Sequence, residues 1–281
     1  MQKATKNNQV AHLQTDRSQS CCICGSGVEK FGAAKILGTH EIEFFRCSHC
    51  GFAQTENPFW LDEAYSSPIA TLDLGLVGRN VSLAEITRRI LKRVLKTPRQ
   101  CVDYGGGYGV FVKLMRDRGS DFFHFDPMAQ NLFAQHFTAN TDDTFLLATA
   151  FEVLEHLVHP HEHFAKLDHL APHWLVTTEL IDSPAPGLDD WWYYLPDTGP
   201  HISFYSKKTL QLLASQYDRR LVSCGRGLHF FTKSTVSEGF IRWVLKNKTS
   251  RLFDFMIRDK SLLPYDFKVV LDSIRAQRKA S

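Results

Sequence analysis

No segment of this 281-residue chain comes near the ~18 to 20 consecutive apolar residues of a membrane-spanning helix. The opening MQKATKNNQVAHLQTDRSQS also has no apolar core of the signal-peptide kind, so the expected location is the cytoplasm. Net charge is nearly missing. Thirty-three Lys and Arg against 30 Asp and Glu leave +3, too little by itself to point to nucleic acid. There are no internal repeats and no low-complexity tracts, and 43% hydrophobic with 22% charged residues excludes a disordered or fibrous chain. Cysteine is sparse, at seven residues. In a reducing compartment these are tested first as metal ligands rather than as a disulfide framework.

What charge there is gathers at one end. Residues 236–281 carry ten Lys or Arg against five acids. The apolar residues among them (Phe240, Ile241, Trp243, Val244, Leu252, Phe253, Phe255, Met256) suggest a docked helix with a solvated basic face. A grip on RNA or an anionic surface is the competing reading.

The organisation expected along the chain is a loose tail over 1–20, a cysteine-marked module over 21–54, a linker and helix over 55–96, an α/β domain over 97–235, and the basic helical extension over 236–281. Leu83, Ile86, Ile90, Leu91 and Leu95 recur at helical spacing between Val81 and Lys96. From Gln100 strands and helices alternate, with helices expected over Tyr108–Arg118, Met128–His136, His161–Leu170 and Lys207–Gln216. This alternation implies a parallel sheet covered on both faces. RRLVSC and LHFFTK, separated by GRG, read as a closing antiparallel hairpin.

Two CxxCG turns, Cys21–Gly25 and Cys47–Gly51, are matched knuckles. Two thiolates three residues apart grip one side of a tetrahedral ion, and a second knuckle completes the set. Cys21, Cys24, Cys47 and Cys50 are the expected Zn2+ ligands, and four protein ligands make a structural site. Free thiols or a redox pair are the alternative. Cys22 is a spare thiol, and Cys101 and Cys224 fall in expected strands.

Strand CVDY runs into Asp103-Tyr104-Gly105-Gly106-Gly107-Tyr108-Gly109 and then an amphipathic helix. Glycines there admit a ligand to the backbone. Their GxGxG spacing differs from the dinucleotide fingerprint GxGxxG, which counts against a dehydrogenase. Asp126 ends the next expected strand, where a carboxylate can accept from both ribose hydroxyls.

DYGGGYG, FDP and FEVLEHLVHP, in this order and each at an expected strand end, resemble the class I S-adenosylmethionine-dependent methyltransferases. The likeness is to the EVLEH branch, as in the ubiquinone-biosynthesis O-methyltransferases. The double CxxC followed by GF, WWYYLPDTGPHISFYS and SLLPYDF are similar to a bacterial subgroup with an N-terminal zinc-ribbon-like module, some of whose members act on nucleotide-linked sugars or polysaccharide precursors. The resemblance implies a Rossmann-like sheet of seven strands. Asp103, Gly105, Gly107 and Gly109 would shape the methionine end of an S-adenosylmethionine pocket. Asp126 would hold the ribose, and Phe151 and Glu152 would face the sulfonium. Only eighteen residues separate Asp126 from the fourth strand, so the third strand is abbreviated. Where relatives have Asp before Pro160, this chain has His159. The histidines at 156, 159, 161, 163, 169 and 173 are expected on a helix entry, with a second metal site as the alternative.

Methyl transfer from a sulfonium is an in-line displacement, with proton removal when the acceptor is a hydroxyl. Glu155, His156 and His201 are the catalytic candidates. His201 is expected as a general base with an ordinary imidazole pKa, and a second divalent ion held by these residues or a purely structural role are the alternatives. Trp191, Trp192, Tyr193 and Tyr194 would either stack on a sugar or ring, or form a satellite core. The expected function is methyl transfer to a small molecule or glycan precursor. A zinc-containing RNA methyltransferase and a non-catalytic binding protein of the same fold are the rivals.

Overall fold

The cysteine-marked segment builds a sheet of its own. In the computed structural model, which describes residues 16–65, 73–246 and 259–280, β1 (Glu29–Ile36) and β2 (His40–Arg46) form a hairpin. β3 (Ala53–Thr55) pairs antiparallel with β2. Two short helical stretches follow, α1 (Leu61–Ala64) and the longer α2 (Leu76–Arg89). The helix expected over Val81–Lys96 thus starts earlier, and it finishes as a wider π-turn over Ile90–Leu95, closed by Lys96 in the left-handed region at φ 54°.

The α/β part runs β4 (Cys101–Tyr104), α3 (Val110–Asp117), β5 (Phe122–Phe125), β6 (Leu147–Ala150), α4 (Pro160–Leu170) and β7 (His173–Thr177). Then come β8 (Ser203–Phe204), α5 (Lys207–Gln216), β9 (Arg220–Cys224), β10 (Leu228–Thr232), α6 (Glu238–Leu245) and α7 (Leu263–Ala280). Sheet order is β5-β4-β6-β7-β10-β9. The three pairings from β5 to β7 are parallel as expected, and β10 lies antiparallel to both β7 and β9, closing the sheet with the anticipated hairpin.

Six strands stand where seven were expected. The missing third strand survives as a single parallel bridge, His124 to Thr138, flanked by hydrogen bonds from His124 N to Phe137 O (2.7 Å) and from Ala139 N to His124 O (2.8 Å). The helix expected over Met128–His136 is also absent. The N–H groups of Leu132 and Phe133, which such a helix would turn on its own carbonyls, both go to Tyr108 O at 3.0 Å, and the Asn131 amide bridges Ala134 N and O. Side-chain bonds like those of Asn131 offer the backbone an alternative to the helical ladder.

Apolar side chains fill both faces of the large sheet. Leu83, Ile86 and Ile90 of the long helix, Phe111 and Met115 of α3, and Ile241 and Val244 of α6 pack on one face. Phe164 and Leu167 of α4 and Leu210 and Leu213 of α5 pack on the other, together with Cys21, Cys47, Cys50 and Phe52 from the cysteine-marked segment. The smaller sheet is completed by β8, whose Ser203 and Phe204 pair with Gln54 and Ala53. A strand from beyond β7 is therefore shared with the N-terminal sheet.

The basic extension docks through α6, where Ile241 and Val244 are buried, and through a buried ion pair in which Arg116 meets both oxygens of Asp266 at 2.8 and 2.9 Å. Its expected packing residues Leu252, Phe253, Phe255 and Met256 lie outside the described residues. No described helix is long and apolar enough to cross a membrane.

Candidate functional site

β4 ends in the glycine turn, and the turn needs glycine. Gly105, Gly107 and Gly109 have φ of 70°, 55° and 85°, a region that side chains with a Cβ resist. A Cβ on Gly105 would also lie 2.7 Å from a Val153 methyl. Asp126 at the end of β5 accepts from Gly107 N at 2.8 Å through Oδ2 and from Met128 N and Ala129 N through Oδ1. Oδ2 keeps a second lone pair for a hydroxyl donor. His124 is a residue that sequence reasoning missed. Its Nε2 meets the Gly107 carbonyl at 2.7 Å and braces the turn from the neighbouring strand. A lone histidine inside an otherwise apolar strand is the only signal it leaves.

Asp103 is buried beneath the turn and accepts from Thr149 Oγ1 at 2.6 Å. Burial pushes its pKa up to about 7, the Thr149 hydrogen bond opposes this, and the Asp126 charge adds to it. Phe151 and Glu152 follow β6 on the same sheet edge. Phe151 packs edge-on against Phe111, with ring centroids 5.0 Å apart. Glu152 takes a left-handed φ of 55°, strained for a residue with a side chain. Thr177 holds it there, accepting from Glu152 N at 2.8 Å and donating to its Oε1 at 2.6 Å.

One turn further on, Glu155 and His156 meet His201, which arrives from the long segment after β7. One ligand atom from each lies within 4.8 Å of the others. Glu155 is wholly buried, and neither carboxylate oxygen has a hydrogen-bond partner. Burial raises its pKa to about 8, and the Glu152 charge raises it further, against smaller opposing effects from its own backbone, the Tyr193 hydroxyl and Arg79. Arg79, paired to Asp73 at 2.8 Å, is a second residue the sequence did not flag. His156 Nδ1 meets Pro200 O at 3.1 Å and His201 Nδ1 meets Tyr193 O at 2.7 Å. Each carbonyl accepts only from a protonated Nδ1, so each imidazole presents an Nε2 lone pair.

The ordinary pKa expected of His201 is corrected by its surroundings. Burial, then repulsion from His156, lowers it to about 3, and burial lowers His156 to about 4. An imidazole so reluctant to take a proton is a poor general base at neutral pH but a good neutral ligand.

The four cysteines of the two knuckles also converge. Cys21, Cys24, Cys47 and Cys50 place their sulfurs within 4.8 Å of one another, with Cys21–Cys50 and Cys24–Cys47 each at 3.5 Å. A tetrahedral zinc with Zn–S of ~2.3 Å sets sulfurs ~3.8 Å apart, so the set fits that ion. The hydrogen bond from Cys21 draws the Cys50 pKa down to about 5. These two sets are the groups able to hold a metal among the described residues.

The model of a family described as a methyltransferase domain matches residues 78–223, just over half of the chain. The chain belongs to that family. The match begins in α2 and ends in β9, so it contains the glycine turn, Asp126 and the Glu155–His156–His201 cluster, while the cysteine knuckles lie ahead of it. No curated protein sequence matches the chain. Among solved structures, human N-acetylserotonin methyltransferase in complex with SAM is 17% identical over 63% of this chain and 66% of that one, with a TM-score of 0.41. TnmH is 18% identical over 63% and 61%, with a TM-score of 0.45. The Burkholderia thailandensis 1,6-didemethyltoxoflavin-N1-methyltransferase is 14% identical over 68% and 97%, with a TM-score of 0.42. The chain spans less than two thirds of the length of the first two.

The remaining candidates of this methyltransferase-family chain divide. Trp191, Tyr193 and Tyr194 are buried against Phe44, Trp60 and Phe204, forming the satellite core rather than a stacking surface. Trp192 is 68% exposed and stays available to a ligand. The crowded histidines disperse. His161 meets Ile23 O, His163 meets Tyr104 Oη, and His173 meets Thr232 Oγ1.

Proposed function

We propose that the chain is an S-adenosylmethionine-dependent methyltransferase acting on a hydroxyl-bearing small molecule or glycan precursor, with a structural zinc at Cys21, Cys24, Cys47 and Cys50. The observation that carries this reading is the meeting, on one sheet edge, of the glycine turn and Asp126 with the buried Glu155–His156–His201 set. Asp103, buried and raised toward neutrality, suits the cationic methionine end of the cofactor, whose ammonium would return it to the carboxylate. Gly105, Gly107 and Gly109 let that end approach the backbone, Asp126 Oδ2 accepts from the ribose, and Phe151 and Glu152 border the sulfonium. The cofactor supplies the electrophilic methyl, and the protein aligns the acceptor for in-line attack.

Glu155, His156 and His201 would hold a divalent ion, since two neutral Nε2 lone pairs and an unpartnered carboxylate match its donor needs and leave open positions. Bound there, it would supply Lewis-acid polarisation to a hydroxyl of the acceptor. The exposed Trp192 offers a face to the acceptor ring. The cytoplasm fits a cofactor made there.

The test is methyl transfer from labelled S-adenosylmethionine to a panel of nucleotide sugars, small phenols and RNA, with Mn2+ binding followed by electron paramagnetic resonance. Transfer to a sugar or phenol is expected, together with Mn2+ binding that His201→Ala weakens at least ~10-fold. Transfer confined to RNA would overturn the acceptor class. Equal Mn2+ binding by wild type and His201→Ala would remove the ion from the cluster.

A further inference from the structure

Arg17 is a cation wholly enclosed by the fold, 2% exposed, and its guanidinium donates to uncharged oxygens and a sulfur. Nε donates to Thr55 O at 3.1 Å, Nη1 to Val158 O at 2.9 Å, and Nη2 to Ile202 O at 2.6 Å and Ser203 Oγ at 3.3 Å. Those acceptors belong to three separate segments: β3 of the small sheet, the turn after Glu155 and His156, and the strand that begins beside His201. The planar guanidinium suits this, because five N–H groups in a fixed fork set three carbonyls at fixed angles.

The two catalytic-candidate segments are joined to each other at the same place. Ile202 N donates to Glu155 O at 2.9 Å, Ser203 Oγ to Leu157 O at 2.8 Å, and Thr55 N to Ile202 O at 3.1 Å. Ile202 therefore spends its N–H on Glu155 and its C=O on Arg17 and Thr55, one residue from His201. Gln54 locks the arginine from behind, donating to Ser20 O at 2.9 Å and to Arg17 O at 2.5 Å and accepting from Cys22 N. Nη1 also meets Cys22 Sγ at 3.4 Å, which ties the same group to the first cysteine knuckle.

We infer that Arg17 is a positioning residue: its guanidinium sets the spacing of the His156 and His201 imidazoles by pinning the Val158 and Ile202 carbonyls to β3. This rests on the reading of the Glu155–His156–His201 set as part of the methyl-transfer site. Lysine keeps the charge but not the fork, and can reach at most part of the acceptor set from one nitrogen.

The experiment compares full-length wild type with Arg17→Lys. Long-range proton–nitrogen NMR reads the tautomers and shifts of His156 and His201, calorimetry reads S-adenosylmethionine affinity, and kcat and KM are measured on whichever panel acceptor is methylated. The expected result is displaced His156 and His201 signals, kcat down ~10-fold or more, and cofactor affinity unchanged within about twofold, because misplacement near an attack geometry acts on the chemical step. Unmoved imidazole signals in folded Arg17→Lys protein would overturn the proposal. Displaced signals with wild-type turnover would leave Arg17 as the positioning residue and overturn the role given to the cluster. Should Arg17→Lys fail to fold, Ser203→Ala removes one of its acceptors and one tie to Leu157 while opening little space. It is expected to shift the same two imidazoles by less, and no shift would overturn the proposal.

Discussion

The small antiparallel sheet and the carboxyl edge of the large sheet are both well buried, yet they treat their polar groups in opposite ways. In the first, four sulfurs gather within 4.8 Å, Gln54 spends its amide on three backbone partners, and Arg17 finds an acceptor for each of its nitrogens. At the second, Asp103 is pushed up to about 7, Glu155 has no partner for either oxygen, and Glu152 is held at a left-handed φ. Completed networks mark the part that holds shape. Incompletely served carboxylates and strained backbone gather at the edge where we propose that a ligand binds, and they persist because the surrounding fold over-determines them.

The largest expected effect comes from breaking the completed side. Wild-type protein prepared without chelator should carry about one zinc per chain, and Cys50→Ser should lose it. Zinc ligation in small modules is worth ~10 kcal/mol or more, so a destabilisation of several kcal/mol is expected in thermal unfolding. Because β3 pairs with β8, faster hydrogen exchange should appear at 203–204 as well as at 53–55. Zinc-free wild-type protein in elemental analysis would remove the metal from the account.

The next effect sharpens the other side. In cofactor-free protein Asp103 holds its proton to about pH 7, while the unfolded chain releases it near the ordinary aspartate value of 3.8. Between those values the folded state binds the extra proton, so this group's contribution to stability falls as pH rises through the window. The difference between Asp103→Asn and wild type should therefore grow in the variant's favour from pH 4 to 7, by up to ~4 kcal/mol. The lowered histidines at 156, 173, 201 and 229 act in the reverse sense, losing stability as pH falls below 6.5, and they cancel in that difference. Denaturant melts of both proteins at several pH values check this. A difference that does not change with pH would mean that Asp103 is not held as an acid.

The smallest effect tests whether the aromatic loop belongs to both regions. Trp192→Ala should change stability by less than ~0.5 kcal/mol, given its exposure, while raising the acceptor KM. Unchanged KM would leave the loop as packing alone.

The contrast also explains what the sequence disclosed. The knuckles were legible because each brings two cysteines from within four residues, and the glycine turn because its glycines lie within a few residues of Asp103. The alternation after Gln100 gave the parallel sheet and its closing hairpin because each element carries its own period. What was hidden depends on contacts between distant residues. Tyr108 displaces an expected helix by taking the N–H groups of Leu132 and Phe133 on its carbonyl, and Tyr194 turns inward because a sheet more than 130 residues earlier offers Phe44. Arg17 looked like part of a loose tail, since nothing around it in sequence shows the carbonyls it reaches at 55, 158 and 202. The depressed basicity of His201 likewise follows from burial that no local pattern encodes.

The central claim is that the glycine turn and Asp126 form an S-adenosylmethionine pocket, and titration calorimetry tests it most directly. The account predicts one molecule bound per wild-type chain, with Asp126→Ala weaker by ~2 kcal/mol, roughly 30-fold, the cost of a lost hydrogen bond to a charged group. Equal affinity in wild type and Asp126→Ala, or no binding to folded wild-type protein, would contradict it.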